Sequence, residues 1–176
     1  VPARVYAPPA PDFSTLPIRG GDFAAVPEAV ANGPQLVGDV VDHYQRLGAG
    51  RTAIVFASSI AHAAKLGEAF KAAGLRAGVL TGKSSPTHRR RCLADLSSGR
   101  LDVLVNVGVL IEGFDCPRVS YVALARPTAS LTIFLQAVGR GLRPFDGKAD
   151  CIVADHAGNA ADRFGLPGQD RPWTLA

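Results

Sequence analysis

The chain has 176 residues, 47% hydrophobic and 19% charged, the composition of one globular domain with a real core, and this excludes a disordered polymer. Nineteen basic against 15 acidic residues give a net charge of +4, which is compatible with a phosphate-bearing partner without demanding one. Cys92, Cys116 and Cys151 are too widely spaced for a zinc site or a disulfide framework, and the longest apolar stretch, Val103 to Ile111, is far short of a membrane span.

In chain order, the prolines at positions 2, 8, 9, 11, 17, 27 and 34 exclude any long regular element, so residues 1–33 are expected to form an arm or linker. Between Gln35 and Leu47, the residues Leu36, Val37, Val40, Val41, Tyr44 and Leu47 recur at helical spacing, closed by Gly48 and Gly50. Thr52 to Ala57 is a continuous apolar run, as in a strand buried on both faces, and Ser58-Ser59 then leads into a helix from Ile60 to Ala73 that stops at Gly74. The unit repeats with a strand from Leu75 to Leu80, a cap at Ser85, Pro86 at the first helical position and a helix to Ser98 ended by Gly99. Leu101 to Val107, Ser120 to Ala125 and Cys151 to Asp155 are further buried strands. This alternation predicts an α/β fold, a parallel sheet with helices on both faces across residues 34–160, with 161–176 as a tail leading to a further segment. Ligands of such sheets sit at the carboxyl ends of the strands, where Ser58, Thr81-Gly82, Gly108 to Asp115, Arg126 to Thr128 and Asp155-His156 are all expected.

The run from Gln136 to Arg143 carries the most chemical information. Gln136, Arg140 and Arg143 recur at i, i+4 and i+7, one face of a helix, while Leu131, Leu135, Val138 and Leu142 form an apolar stripe. Gly139 and Gly141 each cost such a helix about 1 kcal/mol relative to alanine, which makes sense if phosphate must approach the backbone. The plainer reading is a surface helix with two solvated arginines. In Gly113-Phe-Asp115 the glycine admits a ligand to the backbone and the aspartate can accept from a hydroxyl or hold an arginine; a turn with Asp115 bonded to its own backbone is the alternative.

In this order, the motifs resemble those of the second RecA-like domain of superfamily 2 helicases and translocases. Val103 to Asp115 is similar to the family's motif V, Gln136 to Arg143 to its motif VI, and Ala53 to Ser58 to its motif IV. The stretches Leu124 to Ser130 and Asp155 to Asn159 most resemble bacterial RadD-like DNA-repair helicases and their phage relatives. The resemblance implies a RecA-like fold of the P-loop NTPase superfamily without its own phosphate loop. It makes Arg140 and Arg143 arginine fingers, Gly113, Asp115 and Gln136 ATP contacts, and Ser58, Gly82, Arg89 and Gly108 contacts to the nucleic-acid backbone. Val107 stands where many relatives have a phosphate-binding threonine, with Asn106 the candidate to take over that contact, and Ala137 stands where many have arginine. The implied cofactors, ATP and Mg²⁺, would be held mainly by an N-terminal RecA-like domain of the same polypeptide. The implied partner is DNA, or RNA. The apolar stretches are too short for a membrane and the three cysteines fit a reducing cytosol as small buried residues, so no membrane and a cytoplasmic location are expected.

Two alternatives stay open. Ala77 to Ser84 fits a loose phosphate-loop pattern and Asp155 could pass for a magnesium-binding acid, which together would make a self-sufficient small NTPase; against this, Ala77 to Leu80 are needed for a buried strand. The other alternative is a nucleic-acid-binding module without catalysis. His43, His62 and His88 are assigned no role, and Asp155-His156 is expected to buttress the arginine helix. The absence of methionine suggests a piece of a longer polypeptide.

Overall fold

Along Thr52–Ala57 every residue is buried, because Ala53, Val55 and Ala57 pack into one hydrophobic core while Ile54 and Phe56 pack into another on the opposite face. This strand, β4, is central to a computed structural model that describes residues 1–24, 26–108 and 115–170, with the backbone alone for Pro34 and Gln35. The other strands are β1 (Ala3–Tyr6), β2 (Ile18–Arg19), β3 (Asp22–Phe23), β5 (Ala77–Leu80), β6 (Val103–Asn106), β7 (Val119–Ala125) and β8 (Cys151–Asp155). The α-helices are α1 (Glu28–Ala31), α2 (Pro34–Leu47), α3 (Ile60–Ala72), α4 (Pro86–Ser97) and α5 (Leu131–Gly139), and a π-helical turn spans Asn159–Phe164.

Among the described residues six strands form one sheet in the order β1-β8-β7-β4-β6-β5, and every pairing is parallel. All carboxyl ends therefore share one edge. Helices α2 and α3 cover one face through Val40, Tyr44, Leu66 and Phe70, and α4 and α5 cover the other through Cys92, Leu96, Phe134 and Val138. The α/β reading from the sequence is thus realised, with the helices capped as expected: Ser59 and Ser85 accept from the backbone N–H groups of His62 and His88 at 3.1 and 3.2 Å. Gly74 and Gly99 take left-handed φ angles of 81° and 76° just past α3 and α4.

The proline-rich stretch does more than link. It adds β1 beside β8, with Ala3 opposite Cys151 and Tyr6 opposite Ala154, and then forms the separate β2–β3 hairpin. Each element is short, as the prolines require.

Candidate functional site

Helix α5 starts where β7 ends. Ser130 caps it, Oγ accepting from the Ile133 N–H at 3.3 Å. Phe134, Ala137 and Val138 are buried, with Leu131, Leu135 and Leu142 packed partly against them, so the predicted apolar stripe is present. At about 1.5 Å per residue, the helix runs back along the sheet and delivers its C-terminus towards the amino ends of the strands.

The helix does not continue to Arg143, contrary to the sequence expectation. It stops at Gly139 with Arg140 as its C-cap. The N–H groups of Arg140, Gly141 and Leu142 bond to carbonyls three residues back, at 3.3, 2.9 and 3.2 Å, a tightened final turn. Gln136, Arg140 and Arg143 therefore do not share a helix face; all three are half-buried, with Arg143 in the loop beyond. The physical reason is Gly141. A Cβ there would collide with Cys151 Sγ and stand 2.7 Å from Val122 Cγ2. The backbone turns inward onto β7 and β8, so the close approach that this glycine permits is to the sheet and not to phosphate. Among the described residues, nothing lies within 4 Å of where a Gly139 Cβ would be.

Arg143 Nη1 pairs with Asp115 Oδ2 at 2.5 Å, the two side chains being 42% and 60% exposed. Asp115 lies just before β7, so it belongs to the amino edge of the sheet and not to the carboxyl edge where the sequence reading placed it. Lys148 fixes the two segments together. Its ammonium group donates to the carbonyls of Pro117 at 3.0 Å, Arg143 at 2.8 Å and Val119 at 2.5 Å. Nothing in the spacing of the sequence singled out Lys148. Gly113, the remaining residue of the expected ATP-contacting group, lies outside the described residues.

The expected nucleic-acid contacts gather at the opposite edge. Ser58, Gly108 and Gly82 follow β4, β6 and β5, three adjacent strands about 4.8 Å apart. Gly82 and Gly108 are exposed, and Gly108 needs its φ of 67°. Ser58 is held by its neighbour: its N–H donates to Nδ1 of buried His62 at 3.3 Å, and its Oγ lies 2.9 Å from the same nitrogen. With Nδ1 accepting, the His62 proton sits on Nε2 and is donated to the Leu36 carbonyl at 2.9 Å. Burial pushes His62 below its usual pKa. Arg89 is half-buried on α4. Asn106 cannot serve the phosphate contact expected of it: it is fully buried and donates to the Val55 carbonyl at 3.0 Å across the sheet.

The imitation of a phosphate loop also resolves. Ala77–Leu80 is strand β5, and Thr81 to Ser84 close on themselves, Thr81 N–H donating to Ser84 Oγ at 3.0 Å and Lys83 N–H to Thr81 Oγ1 at 3.2 Å. Asp155, the other half of that reading, is completely buried. It accepts from the N–H groups of Ala157 and Ala160 and from Asn159 Nδ2, at 3.2, 2.5 and 3.0 Å. Burial pushes the carboxyl up, and these bonds oppose the shift. Asn159 passes the support onward, accepting from Thr128 N–H at 2.8 Å and donating to the Arg126 carbonyl at 3.1 Å. The Asp155 turn thus supports the loop that starts α5, close to its expected role. His156 is buried against His43, ring centroids 5.1 Å apart, and burial, then His43, lowers its pKa to about 3.

An all-parallel sheet with small residues on its carboxyl-edge loops, and a β7-derived helix returning two arginines towards the other edge, defines a RecA-like helicase domain. Over residues 36–144 the chain matches the helicase conserved C-terminal domain and belongs to that family, the second RecA-like domain of superfamily 2 helicases. It is 33% identical over 172 residues to the 51.5 kDa protein of a Lactococcus phage (isolate 7-9), covering 98% of this chain and 38% of the phage protein. It is 26% identical over 151 residues to the putative ATP-dependent helicase IRC3 of Saccharomyces cerevisiae, covering 84% of this chain and 22% of that protein. The C-terminal domain of the DEAD-box protein Dbp5 superposes with a TM-score of 0.59 at 25% identity, covering 70% of each chain. The chain therefore spans well under half the length of these curated relatives. Among the described residues no helix is long and apolar enough to cross a membrane.

Proposed function

We propose that this chain is the C-terminal motor domain of an ATP-dependent DNA helicase or translocase, acting in the cytoplasm with an N-terminal RecA-like domain of the same polypeptide. The observation that carries the reading is the separation of the two edges: half-buried Arg143 and exposed Asp115 pair on one, and Ser58, Gly108 and Gly82 line the other. ATP fits the first. Asp115 accepts from a ribose hydroxyl, Gln136 orients the nucleotide, and Arg140 and Arg143 neutralise charge that develops on the γ-phosphate oxygens in the transition state. Mg²⁺ is held mainly by the partner domain. The second edge follows a nucleic-acid backbone through exposed main chain at Gly82 and Gly108, the Ser58 hydroxyl and the Arg89 guanidinium. DNA is favoured over RNA by the resemblance of Leu124 to Ser130 and Asp155 to Asn159 to DNA-repair helicases.

Because only one wall of the nucleotide site lies in this chain, residues 1–176 alone bind ATP poorly and hydrolyse none above background. The test is phosphate release from this chain and from the two-domain protein, each with and without single-stranded DNA or RNA. Steady turnover by residues 1–176, abolished by Lys83→Ala, would establish the self-sufficient NTPase instead. Absence of turnover from both proteins would establish a binding module.

A further inference from the structure

The β2–β3 hairpin has no part in the reading above, and its geometry is unusual. Two-residue strands cannot hold a hairpin by themselves, yet this one is fixed from outside. Asp22 Oδ1 accepts from Thr128 Oγ1 at 2.9 Å and from the Ala129 N–H at 2.8 Å, and Oδ2 pairs with Arg126. The Phe23 ring lies under the Arg163 guanidinium, 4.8 Å from centroid to Cζ. At the turn Gly20 and Gly21 have φ of 59° and 81°, the two consecutive positive angles of a tight primed turn. What this anchoring presents is Ile18, 56% exposed, beside exposed Arg19.

The anchor point gives the direction. Arg126, Thr128 and Ala129 form the loop after β7, and β7 pairs with β4, whose own carboxyl-end loop carries Ser58. The hairpin thus stands on the same edge as Ser58, Gly108 and Gly82, beyond the β4 end of that row. Asp22, its acidic residue, is matched by Arg126, which leaves Arg19 to set the charge at the tip. A rigid β-branched side chain beside an arginine suits a nucleic acid at a point where bases part: the aliphatic group wedges against a base face and the guanidinium takes the adjoining phosphate.

We propose that the β2–β3 hairpin is a wedge at the junction between single strand and duplex, Ile18 contacting the first base of the pair that opens and Arg19 the phosphate beside it. The proposal rests on the helicase reading and extends it to where strands separate.

The test uses the two-domain protein with a non-hydrolysable ATP analogue and forked DNA carrying 2-aminopurine at the first paired position, whose fluorescence rises on unstacking. The wild-type protein should raise the signal severalfold, and Ile18→Ser and Arg19→Ala should each remove most of that rise. Both residues are exposed, so folding is unaffected, and ATP hydrolysis stimulated by plain single strand should stay within about twofold of wild type. A wild-type rise that the variants retain would overturn the wedge and leave the helicase reading standing, as would single-strand-stimulated hydrolysis without any wild-type rise. Loss of single-strand-stimulated hydrolysis in the variants, by tenfold or more, would place the hairpin against the partner domain and also overturn it. A wild-type protein with no nucleic-acid-stimulated hydrolysis would sink the helicase reading and the wedge together.

Discussion

The guanidinium of Arg143 and the carboxylate of Asp115 meet at 2.5 Å, and Lys148 binds the main chain on both sides of that pair, at Arg143 and at Pro117. Both side chains are in contact with solvent, so the pair contributes at most about 1 kcal/mol to stability. Its consequence is placement: the pair holds Arg143 beside the residue expected to contact the nucleotide.

If Arg140 and Arg143 act as proposed, Arg143→Ala and Arg140→Ala in the two-domain protein should each lower kcat by about 10³-fold or more while changing ATP affinity much less, because the charge on the γ-phosphate oxygens is greatest in the transition state. A loss of ATP affinity with kcat unchanged would show instead that they bind the ground state and the transition state alike. Asp115→Asn should leave the unfolding midpoint of residues 1–176 almost unchanged and weaken nucleotide binding in the two-domain protein.

Lys148→Met should destabilise the domain by about 1–3 kcal/mol in urea unfolding, since three backbone carbonyls lose a charged donor. It should also slow hydrolysis by the two-domain protein, because both segments that meet at the Asp115–Arg143 pair lose their tie. Unchanged stability would mean that water replaces the ammonium group.

The two motif glycines should respond in opposite ways. Gly141→Ala places a methyl group against Cys151 and Val122 and should cost about 1–3 kcal/mol. Gly139→Ala meets no atom of the described residues within 4 Å and ends a helix, so it should be neutral or stabilising by up to about 1 kcal/mol. If Gly139 admits a phosphate in the working enzyme, its alanine variant will keep its fold and lose activity.

Stability should fall with acid below about pH 6.5. His62 and His156 are buried with their pKa values lowered, His156 to about 3, so the unfolded chain takes up protons that the folded chain refuses. The contribution is full above pH 6.5 and is lost as pH falls towards the folded values. Each histidine should contribute a slope of up to about 1.4 kcal/mol per pH unit. Urea unfolding of His156→Phe between pH 4 and 7 should show the shallower dependence.

Strands β4, β6 and β8 were legible because every residue in them is buried and so reads as an unbroken apolar run, as in Thr52–Ala57, whereas β1, β2 and β3 in the proline-rich stretch are short and only partly buried or exposed. The helix starts were legible because Ser59 and Ser85 perform a local function that spacing reveals. The end of α5 was not: Gln136, Arg140 and Arg143 fit helical spacing perfectly, and only the contact of Gly141 with Cys151 and Val122, distant in sequence, ends the helix earlier. Asp115 was misplaced for a similar reason, since local sequence does not say at which edge a loop leaves off and the next strand begins. Asp22 lay hidden in the proline-rich arm, and its partners are more than one hundred residues away.

Strand β1 has a practical consequence for anyone dissecting this protein. It is four residues long, carries Arg4 and is flanked by Pro2 and Pro8, the features that keep a sheet margin from recruiting foreign strands. A shortened chain that began at residue 34, where the helical pattern starts, would discard that guard and leave the apolar strand Cys151–Asp155 as the new margin. Such a truncation should self-associate through β8 even though every motif is retained.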